Sequence, residues 1–223
     1  MKSFLLCYIT DRQQLKSVSL TTVIRETLFA GVDMVQIREK DLAGGELIAL
    51  VEEAVSAARE SGEGFAERAS GPASREHPAP AIVLVNDRLD VALAAGAKGV
   101  HLGAHSMPVQ VVRRIAPRPF VLGVSCHSLS EARAAESGGA DYLVLGPVFE
   151  TPSKLRYGPP LGIETLREIA EQITIPVLAL GGITVERVRP CLEAGASGIA
   201  GIRIFQDCDS VQERVHELRA LSK

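Results

Sequence analysis

Eight short apolar runs recur along the sequence, and each is followed by a stretch in which apolar residues have helical spacing. Near-continuous apolar runs of this length are typical of parallel strands that are buried on both faces. The predicted strands are Phe4–Ile9, Met34–Ile37, Ala81–Val85, Gly99–Leu102, Phe120–Val124, Tyr142–Leu145, Val177–Leu180 and Gly198–Ile202. The predicted helices are Thr21–Ala30, Gly45–Ser61, Leu89–Ala95, Pro108–Ile115, Leu129–Ser137, Ile163–Gln172, Val185–Ala194 and Ser210–Leu221.

Glycines mark four of the junctions between a helix and the next strand, at Gly31, Gly96, Gly139 and Gly195. Glycine there supplies the left-handed residue that commonly ends a helix. Eight strands that each precede a helix predict a (β/α)8 barrel, a TIM barrel, over residues 1–223 as a single α/β domain. A doubly wound open sheet is the alternative. It is less favoured because no Gly-rich dinucleotide fingerprint follows the first strand.

Composition narrows the class of protein further. The chain is 46% hydrophobic but only 4% aromatic, without Trp, so its core must be largely aliphatic. A net charge of -3 and the lack of basic runs argue against nucleic acid or a membrane surface as a partner. Cys7, Cys126, Cys191 and Cys208 lack metal-site or disulfide-framework spacing. No segment approaches the roughly 20 apolar residues of a membrane span. We therefore expect a cytoplasmic protein.

One segment interrupts the alternation. Residues Gly62–Pro80 are rich in Gly, Pro, Ala and Glu and lack periodicity. The segment is longer than an ordinary connection between a helix and a strand. We expect a flexible loop insertion on the barrel face opposite the active site, without a chemical role.

The carboxyl ends of the predicted strands carry a biased set of polar residues. In a barrel of this kind, binding and catalytic residues lie at those ends. Cations, hydroxyls and backbone N–H groups suit a phosphorylated ligand, whose oxygens only accept hydrogen bonds. A Gly-Gly pair before a helix adds N–H groups and a favourable dipole. The residues in question are Gln36, Arg38, Lys40, Asn86, Asp87, Ser125, Thr151, Ser153, Lys154, Gly182 and Arg203.

Asp87 and three histidines that follow or end predicted strands have more than one interpretation. Asp87 is either a magnesium ligand beside a polyphosphate or the N-cap of the helix that begins at Leu89. His101 is expected to pack or to orient a neighbour, since nothing in its spacing indicates a metal site. His105 and His127 are acid–base residues by type alone.

These motifs, in this order, resemble the thiamine-phosphate synthase superfamily, which also includes thiazole tautomerases. The resemblance spans nearly the whole chain. It is carried by Tyr8–Asp11, Gln36–Lys40, Val85–Arg88, Gly99–Gly103, Gly123–Ser125, Gly146–Lys154 and Ala179–Ile183. It implies an enzyme, a transferase that condenses hydroxymethylaminopyrimidine diphosphate with hydroxyethylthiazole phosphate and releases pyrophosphate.

The resemblance also implies a role for each matching residue. Arg38, Lys40, Asn86 and Lys154 would bind the pyrophosphate, with Asp87 as a ligand of the Mg²⁺ cofactor. Gln36 and Ser125 would surround the aminopyrimidine. The thiazole phosphate would be held by Thr151, Ser153 and Gly182.

Two positions depart from the synthase pattern. Ser106 stands where that pattern has an aspartate that serves as the second metal ligand. Arg203 follows the last strand where the family usually has a phosphate-binding serine, and we expect its charge to take over that role. The tautomerase branch is the competing assignment, but its acid–base histidine is replaced here by Pro147.

Three hypotheses follow. The first is a divergent, Mg²⁺-dependent thiamine-phosphate synthase; the second is a tautomerase-like isomerase that uses His105 or His127; the third is a binding protein for phosphate esters without catalysis. The expected partners are small phosphorylated pyrimidine and thiazole substrates. The sequence leaves the oligomeric state open, with a homo-oligomer among the alternatives.

Overall fold

Eight parallel strands close into a barrel in which each strand pairs with the strands that precede and follow it in the sequence, and the first pairs with the last. The computed structural model describes residues 4–68, 81–151 and 159–221, with the backbone alone for residues 64–68. The strands are β1 (Leu5–Ile9), β2 (Met34–Ile37), β3 (Ile82–Asn86), β4 (Gly99–Leu102), β5 (Val121–Cys126), β6 (Tyr142–Leu145), β7 (Val177–Leu180) and β8 (Gly198–Gly201).

The helices follow the strands in the alternation expected from the sequence. They are α1 (Leu20–Ala30), α2 (Gly44–Arg68), α3 (Leu89–Ala94), α4 (Val109–Ile115), α5 (Leu129–Ser137), α6 (Gly162–Gln172), α7 (Val185–Glu193), α8 (Arg203–Gln206) and α9 (Val211–Ala220). The predicted (β/α)8 barrel is therefore confirmed. None of the helices in the described ranges has the length and hydrophobicity that crossing a membrane requires.

Three elements differ from the expectation. Helix α2 continues to Arg68, so the segment that begins at Gly62 is helical at its start, and residues 69–80 lie outside the described part. A short 3-10 helix, Arg12–Gln14, follows β1, and the four-residue helix α8 follows β8. Short helices of this length have too little periodicity to be seen in a sequence.

Side-chain alternation decides what fills the barrel. Along each strand every second residue points inward, and the interior cluster contains Cys7, Met34, Leu84, Val144 and Leu178. The polar residues at the strand ends continue the same inward series: Gln36 is two residues after Met34, and Asn86 two after Leu84. The barrel therefore has an aliphatic floor and a polar upper rim.

One glycine makes room for a large residue in this interior. A Cβ atom on Gly123 of β5 would lie 2.1 Å from the Tyr142 ring of β6. The tyrosine is 3% exposed and lies directly below the polar rim. Glycine at position 123 therefore permits an aromatic ring to close the floor of the site.

Candidate functional site

A row of hydrogen-bonded side chains crosses the rim from β2 to β3. The Gln36 amide Nε2 donates to Asn86 Oδ1 at 3.1 Å, and Asn86 Nδ2 donates to Asp87 Oδ2 at 2.8 Å. We call Gln36, Asn86 and Asp87 the rim row. Gln36 is 2% exposed and Asp87 is exposed, so the row leads from the barrel interior to solvent. Three residues predicted as binding or metal residues are therefore brought together.

The Asp87 carboxylate is oriented from both sides. Its Oδ1 atom accepts hydrogen bonds from the backbone N–H of Gly103, at 3.3 Å, and from the Ser106 hydroxyl. Ser106 also accepts from Gly103 N at 2.6 Å. The loop after β4 thus contacts Asp87 through the residue that departs from the family pattern.

The N-cap interpretation of Asp87 is wrong. The N-cap position of α3 is occupied by Arg88, which makes no side-chain capping bond. Asp87 itself has φ 60°, a left-handed conformation that is uncommon for residues other than glycine and that occurs more often at functional sites. This backbone conformation turns the chain at the end of β3 and leaves the carboxylate at the rim.

His101 is a buried orienting residue, as expected. Its Nδ1 atom is 3.0 Å from the Tyr142 hydroxyl and its Nε2 atom is 2.8 Å from Ser125 Oγ. Burial lowers the pKa of His101 to about 4, with the negative charge of Asp87 opposing this shift and the positive charge of Arg38 adding to it. The ring is therefore neutral near pH 7, and it fixes Ser125 on the inner rim.

The strand end that carries Arg38 and Lys40 is anchored by Glu39, which is 5% exposed. Its carboxylate accepts from the Thr10 hydroxyl at 2.6 Å and from the backbone N–H of Arg12 at 3.2 Å. Thr10 in turn accepts from Arg38 N at 2.9 Å. Because Glu39 and Thr10 tie this segment to the end of β1, the backbone that carries Arg38 and Lys40 is held at the end of β2.

Glu39 and Tyr142 are the two supporting residues that were not singled out from the sequence. Glu39 lies between two cationic residues of one motif, and the alternation of strand residues would have placed it on the opposite side from them. For Tyr142, the small Gly123 on the next strand is the corresponding signal, visible only once the pairing of β5 with β6 is known.

A cavity of about 300 Å³ opens beside the rim row. Lys40, Asn86 and Asp87 line one part of it, and Ile37 and Leu47 form an apolar part. Glu39 and Arg88 complete the charged part of the lining, so two cationic residues, an amide and two carboxylates border one open space.

The loops after the neighbouring strands β6 and β7 pack against each other at one side of the barrel mouth. Gly181 and Gly182 have φ 96° and 63°, and a Cβ atom on Gly182 would lie 2.6 Å from the Glu150 carbonyl oxygen. Thr151 directly follows Glu150, so the structure brings Gly182 and Thr151 into adjacent loops. Ser153 and Lys154 lie outside the described residues.

Arg203 lies at the start of α8, directly after the last strand. Its Nε atom donates to Asp207 Oδ2 at 2.8 Å, and its side chain is 64% exposed. Arg203 thus lies near the end of the last strand, as expected. Its guanidinium forms an ion pair with Asp207, four residues further along the chain.

Neither of the two histidines considered as acid–base residues, His105 and His127, is buried. His105 is exposed, and His127 is exposed with its Nδ1 atom 3.3 Å from Glu131 Oε2. Among residues 4–68, 81–151 and 159–221, there is no group of three or more His, Cys, Asp or Glu side chains that could hold a metal ion by themselves.

Both the sequence and the fold match one family of known proteins. The profile of the family described as thiamine monophosphate synthase matches residues 6–205. A thiamine-phosphate synthase of Methanospirillum hungatei is 39% identical over 87% of this chain and 85% of its own. One from Syntrophomonas wolfei is 35% identical over 96% and 93%. The structure of a thiamine phosphate pyrophosphorylase from Pyrococcus furiosus superposes with a TM-score of 0.82 at 35% identity, over 99% of this chain and 96% of that one.

The neutral state of His101 predicts a pH dependence of stability. Its pKa of about 4 lies below the usual value of 6.5, so the unfolded chain binds more protons between these pH values. The neutral His101 ring therefore contributes about 3 kcal/mol to the free energy of unfolding. This contribution is complete above about pH 6.5 and is lost as the pH falls towards 4. Urea unfolding from pH 8 to pH 4 measures it.

Two variants isolate the contribution of this one ring. His101→Gln should flatten the loss of unfolding free energy between pH 6.5 and pH 4, because the titrating group is gone. His216→Gln, which removes an exposed histidine of α9, should leave the pH dependence as in the unmodified chain. Equal pH dependence in His101→Gln and the unmodified protein would show that His101 is not held neutral by the fold.

Proposed function

The chain belongs to the thiamine monophosphate synthase family, and we propose that it condenses hydroxymethylaminopyrimidine diphosphate with hydroxyethylthiazole phosphate to give thiamine phosphate and pyrophosphate. The assignment as a thiamine-phosphate synthase, a transferase, agrees with the names of its relatives. The observation that carries the proposal for the site is the rim row, in which an amide, a second amide and a carboxylate are hydrogen-bonded in series beside Arg38 and Lys40.

Arg38, Lys40 and Lys154 are proposed to bind the diphosphate of the pyrimidine substrate, together with Asn86. Among the described residues, neither Arg38 nor Lys40 is in an ion pair, so their charges are available to an anionic ligand. Loss of pyrophosphate places negative charge on the leaving group, and cations held in place before the reaction stabilise that charge. The electron-rich aminopyrimidine spreads the positive charge left on its methylene carbon.

The rim also fits a Mg²⁺ ion that is shared with the substrate. Mg²⁺ is usually bound by one or two carboxylates together with substrate phosphates and water. Asp87 provides one exposed carboxylate, oriented by Gly103 and Ser106. When bound, Mg²⁺ neutralises charge on the diphosphate and orients it for departure. Asp87 would be the residue of this chain that holds the ion.

Gln36 and Ser125 are proposed to recognise the aminopyrimidine ring. Gln36 Oε1 is buried and has no hydrogen-bond partner among the described residues. A buried acceptor of this kind costs free energy unless a ligand donates to it, and the amino group of the pyrimidine is such a donor. Ser125 is held by His101 on the same inner rim.

The thiazole phosphate is proposed to lie between the loops after β6 and β7. Gly182 would contribute its backbone N–H, Thr151 and Ser153 their hydroxyls, and Arg203 its charge. The support from the structure is the direct packing of Gly182 on the Glu150 carbonyl, which places Thr151 in the neighbouring loop. This site is across the barrel mouth from the rim row, so the two substrates would approach from opposite sides.

The location and assembly of the enzyme are part of the same proposal. All four cysteines are free, and three are buried, which is typical of proteins from a reducing compartment such as the cytoplasm. Every residue assigned to the proposed site belongs to one chain, so the site does not require a second subunit.

The first functional prediction concerns the metal and Asp87. Purified protein should form thiamine phosphate from the two phosphorylated precursors with Mg²⁺, and formation should stop when the metal is removed with EDTA. Asp87→Asn should lower kcat/KM roughly 100-fold, because the charge that holds the ion is lost. Release of pyrophosphate measures both effects.

A matched carboxylate provides the control. Asp90→Asn removes the partner of Arg88 on the exposed start of α3 and should leave kcat/KM within about twofold, since surface ion pairs contribute little. Unchanged activity of Asp87→Asn would contradict the site assignment. Tautomerisation of the thiazole phosphate without condensation, or ligand binding without turnover, would contradict the proposed reaction.

The second prediction concerns Ser106. Ser106→Ala removes a hydrogen bond to Asp87 and should raise the Mg²⁺ concentration for half-maximal activity roughly tenfold. Ser106→Asp places a second carboxylate beside the first, so the protein should unfold at a lower temperature without Mg²⁺ and gain more in melting temperature when Mg²⁺ is added. Equal Mg²⁺ responses in all three proteins would show that Ser106 has no part in metal binding.

A further inference from the structure

Arg187 connects the two loops that carry the proposed phosphate site. It lies in the first turn of α7, and its Nη1 atom donates to the Gly182 carbonyl oxygen at 2.7 Å. Its guanidinium carbon is also 4.7 Å from the centroid of the Phe149 ring, in the loop after β6. One side chain therefore contacts both loops, the loop after β7 through a charge-assisted hydrogen bond and the loop after β6 through a cation–π contact.

The two loops also contact each other through their backbones. Phe149 N donates to the Gly181 carbonyl at 3.1 Å, and Val148 N donates to the Leu180 carbonyl at 2.8 Å. A Cβ atom on Gly182 would lie 2.8 Å from Phe149 Cβ, so the loops are as close as glycine allows. The two loops therefore have little freedom to move apart, and Arg187 binds the Gly182 carbonyl where they meet.

The bond to Arg187 sets the direction of one peptide plane. In a trans peptide, the carbonyl and the following N–H point to opposite sides. Because the Gly182 carbonyl faces Arg187, the N–H of Ile183 faces away from it. No backbone carbonyl among the described residues accepts from Gly182 N or Ile183 N, so both donors are available to an anion.

The surroundings of Arg187 are those of a structural residue and not of a solvent-exposed charge. It is half-buried, and the ion pairs formed among the described residues do not include it. The neighbouring Arg189 of the same helix is exposed instead. The positive charge of Arg187 is thus compensated by a carbonyl oxygen and an aromatic face, both belonging to the two loops.

We propose that Arg187 is a positioning residue for the thiazole phosphate: through Gly182 and Phe149 it fixes the backbone donors that bind the phosphate group. This inference rests on the proposed function for the location of the phosphate. Through Arg187, helix α7 would then affect the affinity for the thiazole phosphate but not the affinity for the pyrimidine diphosphate.

Steady-state kinetics with each substrate varied in turn test the assignment. Arg187→Ala should raise the KM for the thiazole phosphate roughly tenfold, while the KM for the pyrimidine diphosphate stays within about twofold. Phe149→Leu should act in the same direction, and the double variant should be no worse than Arg187→Ala, because the cation–π contact that Phe149→Leu removes is already lost in Arg187→Ala. Arg187→Lys, which keeps the charge but not the planar group, should recover only part of the loss.

Arg189→Ala is the matched control and should leave both KM values unchanged. Equal increases of both KM values in Arg187→Ala, or no increase, would overturn the positioning role. Calorimetric titration with the thiazole phosphate alone distinguishes a failure of the role proposed for Arg187 from a failure of the proposed reaction. If the unmodified protein binds it without turnover, the proposed reaction fails, and the Kd of Arg187→Ala still decides the role of Arg187. If the unmodified protein does not bind it, both are overturned.

Discussion

Side chains alternate between the inside and the outside of the barrel along each of its closed parallel strands, and this alternation determines where the polar residues lie. A strand residue that points inward is followed two positions later by another inward residue. In β2 and β3, this places Gln36 above Met34 and Asn86 above Leu84, so the last inward position of each strand lies on the barrel rim. The aliphatic interior and the polar site are therefore consecutive layers of one pattern.

The rim depends on polar groups that are satisfied within the protein. His101 is buried but is hydrogen-bonded at both ring nitrogens, to Tyr142 and to Ser125. Glu39 is buried but accepts from Thr10 and from a backbone N–H. Networks of this kind hold functional side chains in place before a ligand binds, because a misplaced member would leave another one unpaired. Among the described residues, two buried side-chain oxygens lack a partner, Gln36 Oε1 and Gln206 Oε1, and the first belongs to the rim row, where we propose that the ligand binds.

Much of the fold could be predicted because long-range pairing in a barrel follows the order of the chain. The strands Met34–Ile37 and Tyr142–Leu145 have the predicted bounds, since an aspartate directly precedes each run and a charged residue or a glycine directly follows it. The extension of α2 to Arg68 was missed, because the segment after Gly62 has helix-permitting residues without an apolar face. Tertiary context extends a helix in ways that local composition does not indicate.

The site was predictable to the level of strand ends and no further. Gln36, Asn86 and Asp87 could be assigned to one rim because parallel strands end on the same side. The contacts of Ser106 with Asp87, and of Arg187 with Phe149, join residues that are distant in sequence. No periodicity encodes such contacts, since they depend on how two loops meet. The capping role considered for Asp87 failed for the same reason: the left-handed backbone at Asp87 is set by the turn, not by residue type.

A crystal structure of the protein with Mg²⁺ and pyrophosphate would show whether Asp87 holds the metal. We expect a Mg²⁺ ion about 2.1 Å from an Asp87 carboxylate oxygen, with the pyrophosphate oxygens completing its coordination and contacting Arg38 and Lys40. Pyrophosphate bound at the Gly181–Gly182 turn with no metal at Asp87 would contradict it.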